Sequence, residues 1–423
     1  MEQDFRWNPY ADQPHNVAPK KQRFWNHFRF APSYLSLLSS NARKALPVLY
    51  RYRRYRKTMY KTPSPLHHPF GVAVSPFPQR DEEVLDSLEM LGVHKTLVRI
   101  PSWDMERLRY YENFLRQIKQ RGLDIMISLL QRREDVRNPE VWVRFLDDAF
   151  ARFKPFCSLF EIGHAWNRTK WGIWDYREYL RLVEPSVSLA KKNAIHLVGP
   201  AVIDFEFHLY PVVLKKIAFD HISSLLYVDR SGAPENTQFG WNTPGKVALL
   251  KAVVDACVKE KKNIWITEMN WPIAGTGKYS PAVGKMNVSE EEQADYLVRY
   301  FILCLSTGFV DRIYWWQLVA PGYGLIDSRP KVWQKRPSFF ALKAMVDRIE
   351  GSLFVKKIPH SEAFMFLFRK QEKPFAVCWT KGSSLEHAFP RSVLRVESRD
   401  GGGVAVQDNR VRLTPSPQYV YFR

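Results

Sequence analysis

Two stretches set carboxylates beside aromatic residues where short apolar runs end. The first is Leu159–Phe160–Glu161–Ile162–Gly163–His164–Ala165–Trp166–Asn167. It stops at a glycine and turns polar and aromatic, the texture of a strand opening into a pocket. The second, a hundred residues on, is Ile264–Trp265–Ile266–Thr267–Glu268–Met269–Asn270–Trp271. A carboxylate such as Glu268 can attack or take a proton, and an imidazole such as His164 titrates near neutrality. Aromatic faces beside charged groups suit a sugar, whose ring stacks while its hydroxyls take hydrogen bonds.

The elements that must position these residues alternate regularly. Strand-like runs cover residues 70–75, 96–100, 124–130, 157–163, 195–199, 220–227, 263–268 and 311–317. Helical stripes fall between them, at 82–91, 105–121, 139–153, 175–193, 210–218, 243–262 and 289–306, with a last one at 337–348. Thr243 before Pro244 reads as a helix start, and Ser289 with Glu292 as a capping box. Eight short buried strands alternating with amphipathic helices predict a closed (β/α)8 barrel. No glycine-rich phosphate turn follows the first strand, as an open dinucleotide-binding sheet would need. Active sites of such barrels sit at the carboxyl ends of the strands. That selects Arg99, His164, Trp166, Asn167, Asp204, Glu206, Tyr227, Glu268, Trp316 and Gln317. Glu161, ahead of Gly163, reads as a residue of the barrel interior; Trp316 and Tyr227 read equally as packing residues.

The barrel spans residues 68–350. Beyond it, residues 351–423 hold short strand-like runs punctuated by Gly, Pro, Asn and Asp, the pattern of a small antiparallel β-sandwich. Residues 1–67 form a basic arm with interleaved aromatics, ending in Leu49–Tyr50–Arg51–Tyr52–Arg53–Arg54–Tyr55–Arg56–Lys57. The net charge of +20 favours an anionic partner. The arm reads as a peripheral contact with an anionic membrane, or as a segment packed on the barrel through its tyrosines. Nucleic acid is disfavoured, because no recognisable nucleic-acid module accompanies the arm. The start, Met1–Glu2–Gln3–Asp4, has no apolar leader after it, and no run is long enough to span a bilayer. Cys157, Cys257, Cys304 and Cys378 are scattered and lack metal spacing. They read as buried free thiols of a cytoplasmic protein, some of it held at the inner membrane face, with neither metal nor cofactor called for.

From Phe70 onward the chain resembles the clan A glycoside hydrolases, in the β-xylosidase and α-iduronidase style that adds a C-terminal β-sandwich. In that clan the fourth strand ends Glu-Ile-Gly-Asn-Glu-Pro-Asn, whose second Glu is the acid/base, and the seventh ends Thr-Glu, whose Glu is the nucleophile. Ile266–Thr267–Glu268 matches the second motif, so the resemblance implies that Glu268 is the nucleophile. Val198–Gly199–Pro200, Phe219–Asp220–His221–Ile222–Ser223 with Tyr227, Tyr314–Trp315–Trp316–Gln317–Leu318 and Gly324–Leu325–Ile326–Asp327 follow in the clan's order. The departure is at strand four, where Asn-Glu-Pro-Asn aligns with His164–Ala165–Trp166–Asn167. Leu225 also stands where the clan often has His.

Retaining hydrolysis needs a second carboxyl about 5–5.5 Å from the nucleophile, and Ala165 cannot transfer a proton. His164 could substitute, Glu206 or Asp204 could reach across, or the leaving group could be a phosphate that needs no proton. The expectation is therefore a glycosidase-like protein acting on a saccharide, extending to phosphorylated or lipid-linked ones. Glu268 and His164 are its catalytic candidates, and Arg99, Trp166, Asn167, Glu206, Tyr227, Trp316 and Gln317 its substrate-binding candidates. The alternative is a catalytically inactive glycan-binding or scaffold protein on a disabled barrel.

Overall fold

The apolar runs of the middle of the chain close into a ring. The computed structural model describes residues 6–15, 29–228, 232–282, 287–406 and 409–423. Eight parallel strands form the barrel: Phe70–Val74, Lys95–Pro101, Asp124–Leu130, Leu159–Ile162, His196–Ile203, His221–Leu225, Ile264–Met269 and Val310–Trp315. The eighth strand pairs back onto the first through Ile313 opposite Phe70. All five residues of the first strand are buried, as parallel strands covered on both faces require.

The covering helices follow the predicted stripes. Val84, Leu85, Leu88 and Leu91 are the buried face of Asp81–Leu91, and Leu108, Tyr111, Leu115 and Ile118 that of Leu108–Gln120. The capping box forms: Ser289 Oγ accepts from Glu292 N at 3.1 Å, and Glu292 Oε2 accepts from Ser289 N at 2.8 Å. One cap differs. Asn242, not Thr243, caps the helix Thr243–Cys257, accepting from Gly245 N at 3.0 Å. Thr243 donates instead to Pro234 O at 2.7 Å. That helix stops at Cys257 rather than near 262, because Val258 turns extended ahead of a lysine-rich link.

The C-terminal region is a seven-stranded antiparallel sheet beside a two-stranded one. Strand alternation divides its side chains. Met365, Ala376, Cys378 and Val420 share an apolar core with Val411 and Leu413 of the small sheet. Phe366, Phe368, Phe375, Val377 and Trp379 join the barrel's own core.

The described residues ahead of the barrel, 6–15 and 29–67, are built into these two units. Ser64–Pro65 is an edge strand of the seven-stranded sheet. Within the expected basic arm, Ala31–Thr58 is a 28-residue helix. Pro32 lies in its first turn, where no N–H is needed, and Pro47 is tolerated in its interior. Asn41 donates to His208 O, Lys44 to Ala256 O and Tyr55 to Asp255, which lays it along the barrel's outer helices. Trp7–Asn8 and Gln13–Pro14 pair as a short hairpin, which crosses the barrel mouth.

Candidate active site

Glu268 lies at the carboxyl end of the seventh strand and is 7 % exposed. Its Oε1 accepts the Tyr227 hydroxyl at 2.7 Å. Its Oε2 lies 3.3 Å from His164 Nε2 and 3.7 Å from an Arg99 terminal nitrogen. Burial opposes ionisation of this carboxyl, but the His164 imidazole, the Arg99 guanidinium and the Tyr227 hydroxyl outweigh it and hold Glu268 down at about 2. Burial lowers the His164 imidazole in turn, so at neutral pH Glu268 is the charged member of the pair.

Each neighbour is fixed by local structure. Gly163, at φ 77°, turns the chain at the end of strand four, and a side chain there would strike the Tyr179 ring. The turn delivers His164, whose backbone N–H bonds Gln131 Oε1 at 2.8 Å and whose ring lies edge-on to Trp171. Arg99 leaves strand two with its guanidinium carbon 3.2 Å from the centroid of the Trp316 ring. Glu161 is enclosed in the barrel, taking hydrogen bonds from Ser128 and Thr267; burial raises its pKa.

Arg99, His164, Tyr227, Glu268 and Trp316 line one cavity of about 390 Å³, together with Asp204. The other sequence candidates do not line it. Trp166 stacks on Tyr179 at 4.3 Å and donates to Pro200 O at 2.7 Å, a packing position. Asn167 bonds Ile203 and Glu206. Glu206 is spent on Arg168, which also holds Asp204. Gln317 sits behind Trp316, accepting from Ser75 at 3.2 Å. Ala165 has φ 42° and belongs to a buried apolar cluster with Leu130, Trp171, Ala201 and Leu225.

Sequence reasoning missed Asp12. The hairpin brings it to the cavity wall, 3.5 Å from the same Arg99 nitrogen that faces Glu268. Asn8 Oδ1 accepts from Tyr10 N and Ala11 N, shaping the turn, and Asp12 follows at φ 49°, a left-handed conformation that Asp tolerates. Lys170 also lines the cavity and donates to Gln13 of the hairpin. An Asn-Pro turn between aromatics was legible near residue 8; its partners, Arg99 and Lys170, 87 and 157 residues away along the chain, were not.

No protein-family profile matches the chain, and no curated protein matches it. Solved structures do. A family 39 glycoside hydrolase from the gut symbiont Bacteroides cellulosilyticus WH2 superposes with TM-score 0.69 at 17 % identity, covering 85 % of this chain and 81 % of that one. A family 30 subfamily 8 xylanase from Clostridium acetobutylicum gives 0.57 at 12 %, over 86 % and 98 %. A family 51 arabinofuranosidase from Xanthomonas axonopodis pv. citri gives 0.56 at 12 %, over 85 % and 97 %. The fold is therefore that of the clan A glycoside hydrolases, a (β/α)8 barrel with a β-sandwich. At these identities the likeness is one of fold, and chemistry has to be argued from the cavity.

Proposed function

We propose that the chain is a glycoside hydrolase of the retaining type, with Glu268 as its nucleophile. The observation that carries this is a single ionised carboxylate at the seventh strand end, oriented by Tyr227 and facing an aromatic-walled cavity. Glu268 forms a bond to the anomeric carbon as the glycosidic C–O bond breaks, and water later releases the sugar. His164, Arg99 and Tyr227 keep the carboxylate ionised, and Trp316 supplies an apolar face. The solved neighbours include a xylanase and an arabinofuranosidase, so β-xylosides and α-L-arabinofuranosides are the first substrates to test. Phosphorylated or lipid-linked saccharides remain within the same reading, given the net charge of +20.

The test is covalent labelling by 2-deoxy-2-fluoro-glycosyl fluorides of xylose and glucose. A mass increase of one fluoroglycosyl group on the peptide carrying Glu268 is expected, absent in Glu268→Gln. Saturable sugar binding with no label would leave the glycan-binding alternative, which the alanine at position 165 favours.

The long helix suggests where the protein works. Leu35, Leu38, Leu46, Leu49 and Tyr50 are all exposed, and at 3.6 residues per turn they fall within about 120° of its circumference. Arg43, Arg53, Arg54 and Lys57 are exposed beside them. An apolar stripe with a basic border fits an anionic membrane surface, and the proposed occupant of this face is such a surface. Among the described residues no helix is long and apolar enough to cross a membrane.

A further inference from the structure

We propose that Asp12, carried in by the N-terminal hairpin, is the general acid/base of this site, in place of the carboxylate that strand four does not provide. This rests on the reading of Glu268 as nucleophile.

The geometry comes first. Asp12 and Glu268 approach one Arg99 nitrogen at 3.5 and 3.7 Å. Their nearest oxygens are therefore at most about 7 Å apart, a span that includes the separation of paired glycosidase carboxyls. The hairpin is anchored rather than draped. Trp7 packs on Trp103 at 5.3 Å and on Trp171 at 6.0 Å. Tyr10 meets Tyr279 edge-on at 5.4 Å, with the Lys278 amine 3.8 Å from the centroid of the Tyr10 ring. Gln13 bonds Pro281 O at 3.3 Å. With the hairpin seated, about 390 Å³ of cavity remains, walled in part by Ala11, Asp12 and Gln13. A segment that shapes a cavity of ligand size is a wall of the site rather than a stopper in it.

The electrostatics separate the two carboxyls. Burial raises Asp12 to about 6, against the pull of Arg99 and with the push of Glu268, whereas Glu268 stays ionised. His164, Tyr227 and Lys170 interact electrostatically with Glu268, Tyr111 with Asp12 and Tyr323 with both; burial raises the tyrosines and lowers His164 and Lys170. Lys170 and Lys278 face the hairpin but are engaged with Gln13 and the ring of Tyr10. Two carboxyls whose environments push them apart are how one site holds an acid and a nucleophile together.

The steps balance. Protonated Asp12 gives its proton to the glycosidic oxygen as the anomeric C–O bond breaks and Glu268 forms the glycosyl ester, and the alcohol leaves. Asp12, now a carboxylate, takes a proton from water as the water oxygen attacks the anomeric carbon. The ester bond breaks, Glu268 is released as a carboxylate and Asp12 is again protonated.

The experiment compares leaving groups on the full chain, using 2,4-dinitrophenyl and 4-methoxyphenyl β-D-xylosides, β-D-glucosides and α-L-arabinofuranosides. Asp12→Asn is expected to lose about 10²–10⁴-fold in kcat/KM on the methoxyphenyl glycosides and far less on the dinitrophenyl ones. The alkaline limb near pH 6 disappears with it. Asp12→Ala with sodium azide is expected to yield a glycosyl azide, a readout that needs a folded site. Equal loss on both leaving groups without azide rescue, or activity unchanged or raised, overturns the assignment of Asp12. Absence of turnover of dinitrophenyl glycosides by the unaltered protein overturns the Glu268 reading instead, because that step needs no acid.

Discussion

Tyr227 and Ala165 test the site residue by residue. Tyr227 gives Glu268 its well-formed hydrogen bond, at 2.7 Å. Tyr227→Phe removes one of the groups that depress the Glu268 pKa, so the acid limb of fluoroglycoside labelling should move to higher pH. The sign follows from the shift: the folded value of about 2 lies below the roughly 4.3 of an unfolded Glu. Ionisation of Glu268 therefore stabilises the fold above that unfolded value, and the contribution fades as pH falls toward 2. An unmoved limb in Tyr227→Phe would mean that the hydroxyl only fills space. Ala165 leads the other way. Restoring a glutamate where the motif predicts one would place a carboxyl in the apolar cluster around Trp171. Ala165→Glu should lower the thermal midpoint by several degrees, since an unpaired buried carboxyl costs several kcal/mol, and should not raise turnover. A stable, faster variant would show that the strand-four position still opens onto the substrate.

Two N-terminal elements act on the barrel in separable ways. The hairpin is held by Trp7, so Trp7→Ala should loosen it and reproduce much of the leaving-group dependence of Asp12→Asn while Glu268 labelling persists. Labelling lost along with the dependence would assign Trp7 to general packing. The long helix is bound on its inner side by Asn41, Lys44 and Tyr55, which leaves its leucine stripe outward. Leu38→Glu combined with Leu46→Glu should reduce co-sedimentation with phosphatidylglycerol vesicles by about tenfold, with the melting curve unchanged. Wild-type binding should weaken with added salt. A double variant that sediments like the parent would remove the membrane from the account of this face.

Across the whole molecule, barrel and sandwich share a core. Trp379 is fully buried, stacks on Phe364 and Phe366, and donates to Glu235 at 2.8 Å. Arg348 meets Glu397 at 2.7 Å across the same junction. Trp379→Ala should cost about 3–5 kcal/mol and shift a single urea transition seen by both tryptophan fluorescence and far-ultraviolet dichroism. Two resolved transitions would show that the units unfold independently.

Local pattern was enough for the barrel. Each strand and helix carries its own periodicity and punctuation, as with Ser289 and Glu292, and the strand-end rule then places Arg99, His164, Tyr227, Glu268 and Trp316 without further help. It failed where a side chain's direction depends on a distant neighbour. Trp166 turns to Tyr179 and Ala165 into an apolar cluster because left-handed backbone at Gly163 and Ala165 redirects the chain, which a strand-end count does not register. Asp12 belongs to the site only because residues 6–15 fold across the mouth of a barrel that begins at Phe70, a contact with no local signature. The sequence determined the ring and the strand-end carboxylates Glu268 and Asp204 through short-range pattern; tertiary packing alone decided that Asp12 joins them in the cavity.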